Sequence, residues 1–181
     1  MKRTCRTGSK SNPNTHFFFT KITSSLPLMK YFVFSLFYIC KKRLIRFNHN
    51  NFLCFLEEDL ALWLKSIANQ EGYSVEELEY NFVDSHTMAN LNQEYLKHNT
   101  DTDILTFDYT ESKVIKAESY ISYQALKANA KSYRQTIENE TLRLLSHGLL
   151  HCLGYNDKTS KQLEIMCSKE EECINLFHVK H

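Results

Sequence analysis

The sequence predicts an α+β fold, in which a small mixed β-sheet is covered by helices. Segments with a helical period of apolar residues interleave irregularly with segments in which apolar and polar residues alternate. No internal repeat or low-complexity tract interrupts this order. The 181 residues, 43% hydrophobic with four Gly and two Pro, are enough for one domain with ordered elements over most of its length.

The first half of the domain is predicted to run strand, helix, strand, helix. Residues 44–47 alternate weakly, and a helix over 56–69 follows because its apolar residues fall on one face. Residues 78–82 alternate as in a half-buried strand, and Asp84 or Ser85 can then cap the next helix. The apolar residues that define this half are Leu60, Trp63, Leu64, Ile67, Leu78, Tyr80, Phe82, Met88, Leu91 and Tyr95.

The second half is predicted to run strand, strand, then three helices. Residues 103–109 alternate again, and 120–122 form a short strand candidate before the first of these helices. Residues 136–152 predict the central helix, and Thr159-x-x-Gln162 matches the capping box that begins the last one. The buried sides of the three helices are predicted at Leu126, Ala130, Leu142, Leu145, Leu149, Leu150, Leu163, Met166, Ile174 and Phe177.

Residues 1–44 differ from the domain that follows, which we expect at 45–178. The apolar run over 31–40 is shorter than the about 20 residues that span a bilayer. It is similar to the core of a signal sequence, but no small-x-small cleavage site follows. We therefore expect a poorly ordered extension, with Met29 as one alternative start, and no stable membrane association.

The net charge and the cysteine content bear on the partner and the cellular location of the protein. A net charge of +1 gives by itself no electrostatic case for a nucleic-acid partner. Six cysteines without a Cys-x-x-Cys pair predict reduced thiols and a cytoplasmic location rather than a disulfide framework. Cys152 follows His151, but on a helix it points about 100° away from it, so we expect a buried structural thiol.

The most informative stretch is His147-Gly-Leu-Leu-His151-Cys-Leu-Gly154-Tyr-Asn-Asp157. Two histidines at this spacing share one face of a helix, Gly154 permits the left-handed turn that ends it, and Asp157 follows. Two imidazoles and a carboxylate suit one zinc ion at the end of the central helix, with one coordination position left for water. The alternative is that Asp157 caps the last helix or pairs with Lys158.

Gly148 decides between classes of metal-dependent reaction. Zinc proteases with a His-Glu-x-x-His motif have their general base directly after the first histidine, where this chain has no side chain. The base must come from elsewhere, or the metal must acidify its own water to a pKa of about 7. A metalloprotease-like hydrolase is therefore kept only as an alternative.

These residues resemble the signature of the YbeY family of endoribonucleases and rRNA maturation factors. His147-Gly-Leu-Leu-His151-x-x-Gly154-Tyr155 is similar to the family's pattern, His-Gly-x-x-His-x-x-Gly-Tyr-x-His. The resemblance covers roughly residues 44–177. Three further blocks are similar to the family, Leu91-Asn92-x-x-Tyr95, Thr102-Asp103-Ile104-Leu105-Thr106-Phe107 and Tyr120-Ile121-Ser122.

The resemblance implies a zinc-dependent endoribonuclease specific for single strands, acting in the cytoplasm. It implies a role in rRNA maturation, at the 3′ end of 16S rRNA, and in ribosome quality control. RNA is the expected partner, with ribosomal proteins nearby. An alternative of another class is a non-catalytic ribosome assembly factor whose zinc is structural.

The chain departs from the family pattern at three places. Asp157 stands where the family has a third histidine, and because carboxylate oxygen binds zinc well, we expect the site to survive. Leu96 stands where many members have an arginine, and leucine cannot contact phosphate. Ala117-Glu118 stands where the family has Gly-Asp before its short strand.

Three cationic residues are candidates for contact with the substrate. Arg143 lies one turn before His147 on the same face and is expected to stabilise charge on the scissile phosphodiester. Its alternative is a surface pair with a carboxylate such as Glu140. Lys97 and His98 are predicted to line the cleft, and the alternative for His98 is an ordinary place in a surface loop.

Overall fold

The computed structural model describes residues 44–96 and 102–180, with the side chains of Leu96 and Lys180 excepted. The predicted disorder of the N-terminal extension and the predicted cleft residues Lys97 and His98 lie outside these residues. Within the described part, no helix is long and apolar enough to cross a bilayer.

The described elements are four strands and five α-helices, which confirms the predicted α+β class. The strands are β1 (Ile45–Asn48), β2 (Ser74–Val83), β3 (Ile104–Asp108) and β4 (Val114–Ser122). The helices are α1 (Glu57–Gln70), α2 (Ser85–Leu91), α3 (Tyr123–Ser132), α4 (Ile137–Cys152) and α5 (Ser160–Lys180), and a π-helical turn (Asn92–Leu96) extends α2.

The strands form one mixed sheet in the order β1-β2-β4-β3. Strands β1, β2 and β4 run parallel to one another, and β3 pairs antiparallel with β4 at the edge. The sheet carries the aliphatic and aromatic residues of its strands towards the helices. This buried face joins α1, α4 and α5 in one core, whose largest fully buried side chains include Trp63, Leu64, Tyr80, Ile121 and Leu145.

Strand β4 is much longer than the predicted strand over 120–122. It runs from Val114, between β2 and β3, with Ala117 and Ser119 completely covered on the helix side. A small residue and a hydroxyl are weak hydrophobic signals, so the alternation is hard to recognise in the sequence. The small size of Ser119 has a structural reason, since Gly148 of α4 lies close to it.

The predicted helix caps are confirmed. The side chain of Asp84 accepts a hydrogen bond from the Thr87 amide at 2.7 Å and begins α2. At the start of α5, the Gln162 amide donates to Thr159 Oγ1 at 3.3 Å, and the Thr159 amide donates to Gln162 Oε1 at 3.1 Å. This reciprocal pair is the capping box that the sequence predicted.

Helix α4 ends in the turn that Gly154 was predicted to provide. Gly154 has a φ of +94°, and the amides of Gly154 and Tyr155 donate to the carbonyls of His151 and Leu150 at 2.9 and 3.0 Å. Only glycine adopts this conformation without strain. The turn reverses the chain, so that the residues after it pass the last turn of α4.

Candidate metal centre

The structure brings His147, His151 and Asp157 together at the C-terminal end of α4. One ligand atom from each of the three residues lies within 4.8 Å of the others. The Nε2 atoms of the two histidines are 3.0 Å apart, and the two rings stand nearly perpendicular. Two ligands of a tetrahedral zinc ion lie about 3.3 Å apart, since each is about 2.0 Å from the metal. The donor set and its spacing therefore fit one zinc ion.

The outer nitrogen of each ring has an acceptor that determines the tautomer. Nδ1 of His151 donates to the carbonyl oxygen of Tyr155 at 3.0 Å, and Nδ1 of His147 faces Glu170 Oε1 at 2.6 Å. With the protons on Nδ1, both Nε2 lone pairs point at the same space. Lone pairs this close repel each other unless a proton or a cation lies between them, which again fits a metal.

The protonation state of His151 suits metal binding. Burial lowers the pKa of His151 below the usual value for histidine, and the neighbouring His147 lowers this pKa further. The neutral imidazole is therefore favoured near pH 7, and only the neutral form offers a lone pair to a metal.

Asp157 is not the cap of the last helix. That cap belongs to Thr159, as described above, so the capping alternative for Asp157 is wrong. The Gly154 turn instead leaves Asp157 beside the histidines.

The absence of a side chain at position 148 allows α4 to pack closely against the sheet. A Cβ on Gly148 would lie 3.1 Å from both Ile104 Cδ1 and Ser119 Oγ, and 3.2 Å from Thr106 Oγ1. The last two hydroxyls hydrogen-bond each other at 3.0 Å. A side chain here would require these neighbours to move by a few tenths of an ångström, so the packing disfavours a general base directly after His147.

Arg143 lies in a group of carboxylates. Its Nε and Nη2 donate to the two oxygens of Glu140 at 2.9 and 2.7 Å, and Nη2 also reaches Asp103 Oδ2 at 3.3 Å. The alternative partner, Glu140, is therefore confirmed, but the pair is not a surface pair because Glu140 is buried. Burial lowers the pKa of Arg143, but hydrogen bonding and Coulomb attraction from Glu140 outweigh this and hold the pKa above its ordinary value.

Glu170 is a residue of the candidate site that the sequence reasoning missed. It lies on α5 and is 7% exposed, and its carboxylate contacts His147. A signal was present in the sequence, because Glu170 follows Met166 by four residues and precedes Cys173 by three. A glutamate on the buried stripe of a helix indicates a buried partner.

Tyr155 supports the site through both its backbone and its side chain. Its carbonyl accepts from His151, while its hydroxyl donates to Glu71 at 3.1 Å. Lys169 lies over the Tyr155 ring and also contacts Glu71, at 3.3 Å. These contacts hold the chain between Gly154 and Asp157 against α5 and against the residue that follows α1.

Cys152 is the buried structural thiol that the sequence predicted. Its Sγ lies 3.4 Å from the carbonyl oxygen of Gly148, and burial raises the pKa of the thiol to about 12. A thiol that stays protonated does not serve as a metal ligand. Cys54, Cys167 and Cys173 are also free thiols.

The other two departures from the family pattern are far in sequence from His147, His151 and Asp157. Glu118 is part of β4, and its carboxylate accepts from the Tyr120 hydroxyl at 3.3 Å. The side chain of Leu96 lies outside the described residues, as do Lys97 and His98.

Comparison with known proteins finds a matching family, similar chains and a similar solved structure. A family described as Endoribonuclease YbeY matches residues 41–178. Proteins named endoribonuclease YbeY from Christiangramia forsetii and Flavobacterium johnsoniae are 37% and 38% identical to this chain. These alignments cover 74% and 76% of this chain, and 94% and 99% of the relatives. The solution structure of TM1509 from Thermotoga maritima is similar with a TM-score of 0.58 and 27% identity, over 75% of this chain and 90% of that one.

Proposed function

Because the chain belongs to the YbeY family of endoribonucleases, we propose that it is a metal-dependent endoribonuclease of rRNA maturation. One zinc ion is held by His147, His151 and Asp157, and the convergence of these three residues is the observation that carries the proposal. The substrate is single-stranded RNA, with the 3′ end of 16S rRNA and defective ribosomes as the expected targets. The cytoplasm is the expected location, and ribosomal proteins are the expected neighbours.

The residues of the site prepare a rigid donor set for the metal. When bound, zinc supplies a Lewis acid next to the phosphodiester and lowers the pKa of coordinated water. Glu170 and the Tyr155 carbonyl hold the Nδ1 protons of His147 and His151, so both Nε2 atoms are oriented before the metal arrives. This orientation reduces the rearrangement that accompanies metal binding and reaction.

Two observations favour catalysis over a purely structural zinc. A structural zinc site usually has four protein ligands, whereas the group found among the described residues offers three. The side chain of His147 is also 14% exposed, so the site opens to solvent. The protease alternative is weakened because the chain has no side chain at position 148, and the close packing around Gly148 disfavours the usual general base there.

The direct test is cleavage of a single-stranded RNA oligonucleotide by the full-length protein. A chelator is expected to abolish cleavage and added zinc to restore it. His151→Ala is expected to lower the rate by on the order of 100-fold or more, because it removes a ligand. His86→Ala is the matched control, since His86 is exposed on α2, and it should cleave at the wild-type rate.

Two results would overturn the proposal. One is zinc-dependent cleavage of peptides with no cleavage of RNA, which supports the protease alternative. The other is a zinc-loaded, folded protein that cleaves no RNA and unfolds on His151→Ala, which supports a structural zinc in an assembly factor. Circular dichroism of the variant separates loss of fold from loss of activity.

A further inference from the structure

Arg143 is the centre of a buried charged group that also contains Glu140, Glu170 and Asp103, called here the Arg143 cluster. The side chains of the three acids are 2%, 9% and 11% exposed, and that of Arg143 is 24% exposed. The guanidinium lies 2.7 Å from Glu140, 3.3 Å from Asp103 and 3.8 Å from Glu170. The cluster joins α4, α5 and the residue that precedes β3.

The cluster contacts the metal centre through the carboxylate of Glu170. Oε1 of Glu170 lies 3.8 Å from Arg143 Nη1 and 2.6 Å from His147 Nδ1. The guanidinium and the imidazole of the first ligand thus share one carboxylate oxygen. A continuous line of contacts runs from Glu140 through Arg143 and Glu170 to His147.

The far side of the cluster is also anchored. Asp103 Oδ2 accepts from the Asn129 side-chain amide on α3 at 3.0 Å, and its Oδ1 accepts from the Ile104 amide at 3.1 Å. The Arg143 guanidinium is therefore held by all three acids of the cluster. A guanidinium fixed in this way can in turn fix the position of the carboxylate that it contacts.

The same contacts argue against a direct role of Arg143 on the phosphodiester. Its Nε and Nη2 are both used by Glu140, in the two-pronged geometry that makes arginine–carboxylate pairs strong. To reach a phosphate, the side chain would have to leave three largely buried carboxylates without this compensating charge. Such uncompensated buried charges are costly.

We propose that Arg143 is a positioning residue for the metal centre. It holds Glu170 against Nδ1 of His147, and so fixes the tautomer and the direction of the first metal ligand. The proposal rests on the proposed function only in requiring that the three-residue site binds a metal.

The test measures metal affinity of the chelator-stripped protein, without RNA, by competition with a chromophoric chelator for zinc. Glu170→Gln is expected to weaken zinc binding by about 10- to 100-fold, as loss of a partner of a ligating histidine usually does. Arg143→Gln is expected to weaken it by about fivefold, because it acts through Glu170. In the double variant, Arg143→Gln is expected to add nothing to Glu170→Gln.

Arg46→Gln is the matched control. Arg46 also bridges two carboxylates, Glu77 at 2.9 Å and Glu79 at 2.8 Å, but it lies on β1. Its loss should leave zinc affinity unchanged. If Arg143→Gln does not fold, Arg143→Lys serves instead, since it keeps the charge and cannot make the two-pronged contact.

RNA cleavage at saturating zinc supplies the second readout. Arg143→Gln is expected to leave the KM for single-stranded RNA within about twofold of wild type. A raised KM with unchanged zinc affinity would mean that Arg143 contacts the RNA, and would overturn the proposal. Additive losses of zinc affinity in the double variant would do the same. A protein that binds zinc as expected but cleaves no RNA would overturn the proposed function and leave this inference intact.

Discussion

The two faces of helix α4 differ in polarity, in exposure and in the contacts that hold their side chains. The face that packs on the sheet is apolar, with Leu142, Leu145 and Leu149 fully buried and Gly148 in close contact with β3 and β4. The face that carries the histidines is charged and partly open, and its side chains are held by α5 and by the chain after Gly154.

This difference indicates which property each face controls. Side chains on the sheet face contribute to the free energy of unfolding through packing. Side chains on the histidine face are held by directional contacts, and their loss should affect metal binding more than stability. Variants on the sheet face should therefore change mainly the free energy of unfolding, and variants on the histidine face should change mainly zinc affinity. A variant that changes both would contradict this separation.

The largest effect is expected for Gly148→Leu on the sheet face. The added side chain has no space beside Ile104 and Ser119, so the free energy of unfolding should fall by about 3 kcal/mol. Urea denaturation of the metal-free protein measures this change. Ala128→Leu, on an exposed position of α3, is the control and should change stability by less than about 0.5 kcal/mol. Unchanged stability with lost zinc affinity would place Gly148 with the site instead.

The next effect is expected for Asp157→Ala, which removes one ligand. Zinc affinity should fall on the order of 100-fold, while the stability of the metal-free protein should change by less than about 0.5 kcal/mol. Asp157→His should keep zinc affinity within about tenfold of wild type, because imidazole is an equally suitable zinc ligand. Isothermal titration calorimetry with zinc distinguishes the variants.

The control for this pair is Glu76→Ala, at an exposed position of β2, which should bind zinc as the wild type does. Wild-type affinity in Asp157→Ala would show that the carboxylate is not a ligand, and that the proximity of Asp157 to the histidines is incidental.

The smallest effect is expected for Tyr80→Phe in the core. The Tyr80 hydroxyl donates to the Leu145 carbonyl at 2.7 Å, and its loss should cost about 1 kcal/mol of unfolding free energy. Zinc affinity should stay unchanged. Tyr109→Phe, at an exposed tyrosine, controls for the loss of a hydroxyl. A parallel drop in zinc affinity would mean that the two faces of α4 are coupled through the helix.

The sequence alone was enough to predict features that depend on neighbours a few residues apart. The shared face of His147 and His151 follows from helical geometry, and the Gly154 turn follows from the freedom of glycine. The Thr159–Gln162 cap also involves residues three apart. Because these interactions are local, their spacing in the sequence reveals them.

Two other features depended on how the elements pack. The length of β4 was missed because Ala117 and Ser119 give weak hydrophobic signals, although both are buried. Ser119 lies against Gly148 of α4, a contact that only the tertiary structure reveals. The role of Glu170 was missed because its partner His147 lies 23 residues away, on another helix.

Arg143 illustrates the division between sequence and tertiary structure. Its pairing with Glu140, three residues away, was foreseen as an alternative, whereas its contact with Asp103 spans 40 residues. The sequence by itself determined where His147 and His151 lie on their helix and how that helix ends. Only the tertiary structure decided which buried charges surround them, because a buried charge is stabilised by whatever partner the packing brings within hydrogen-bonding distance.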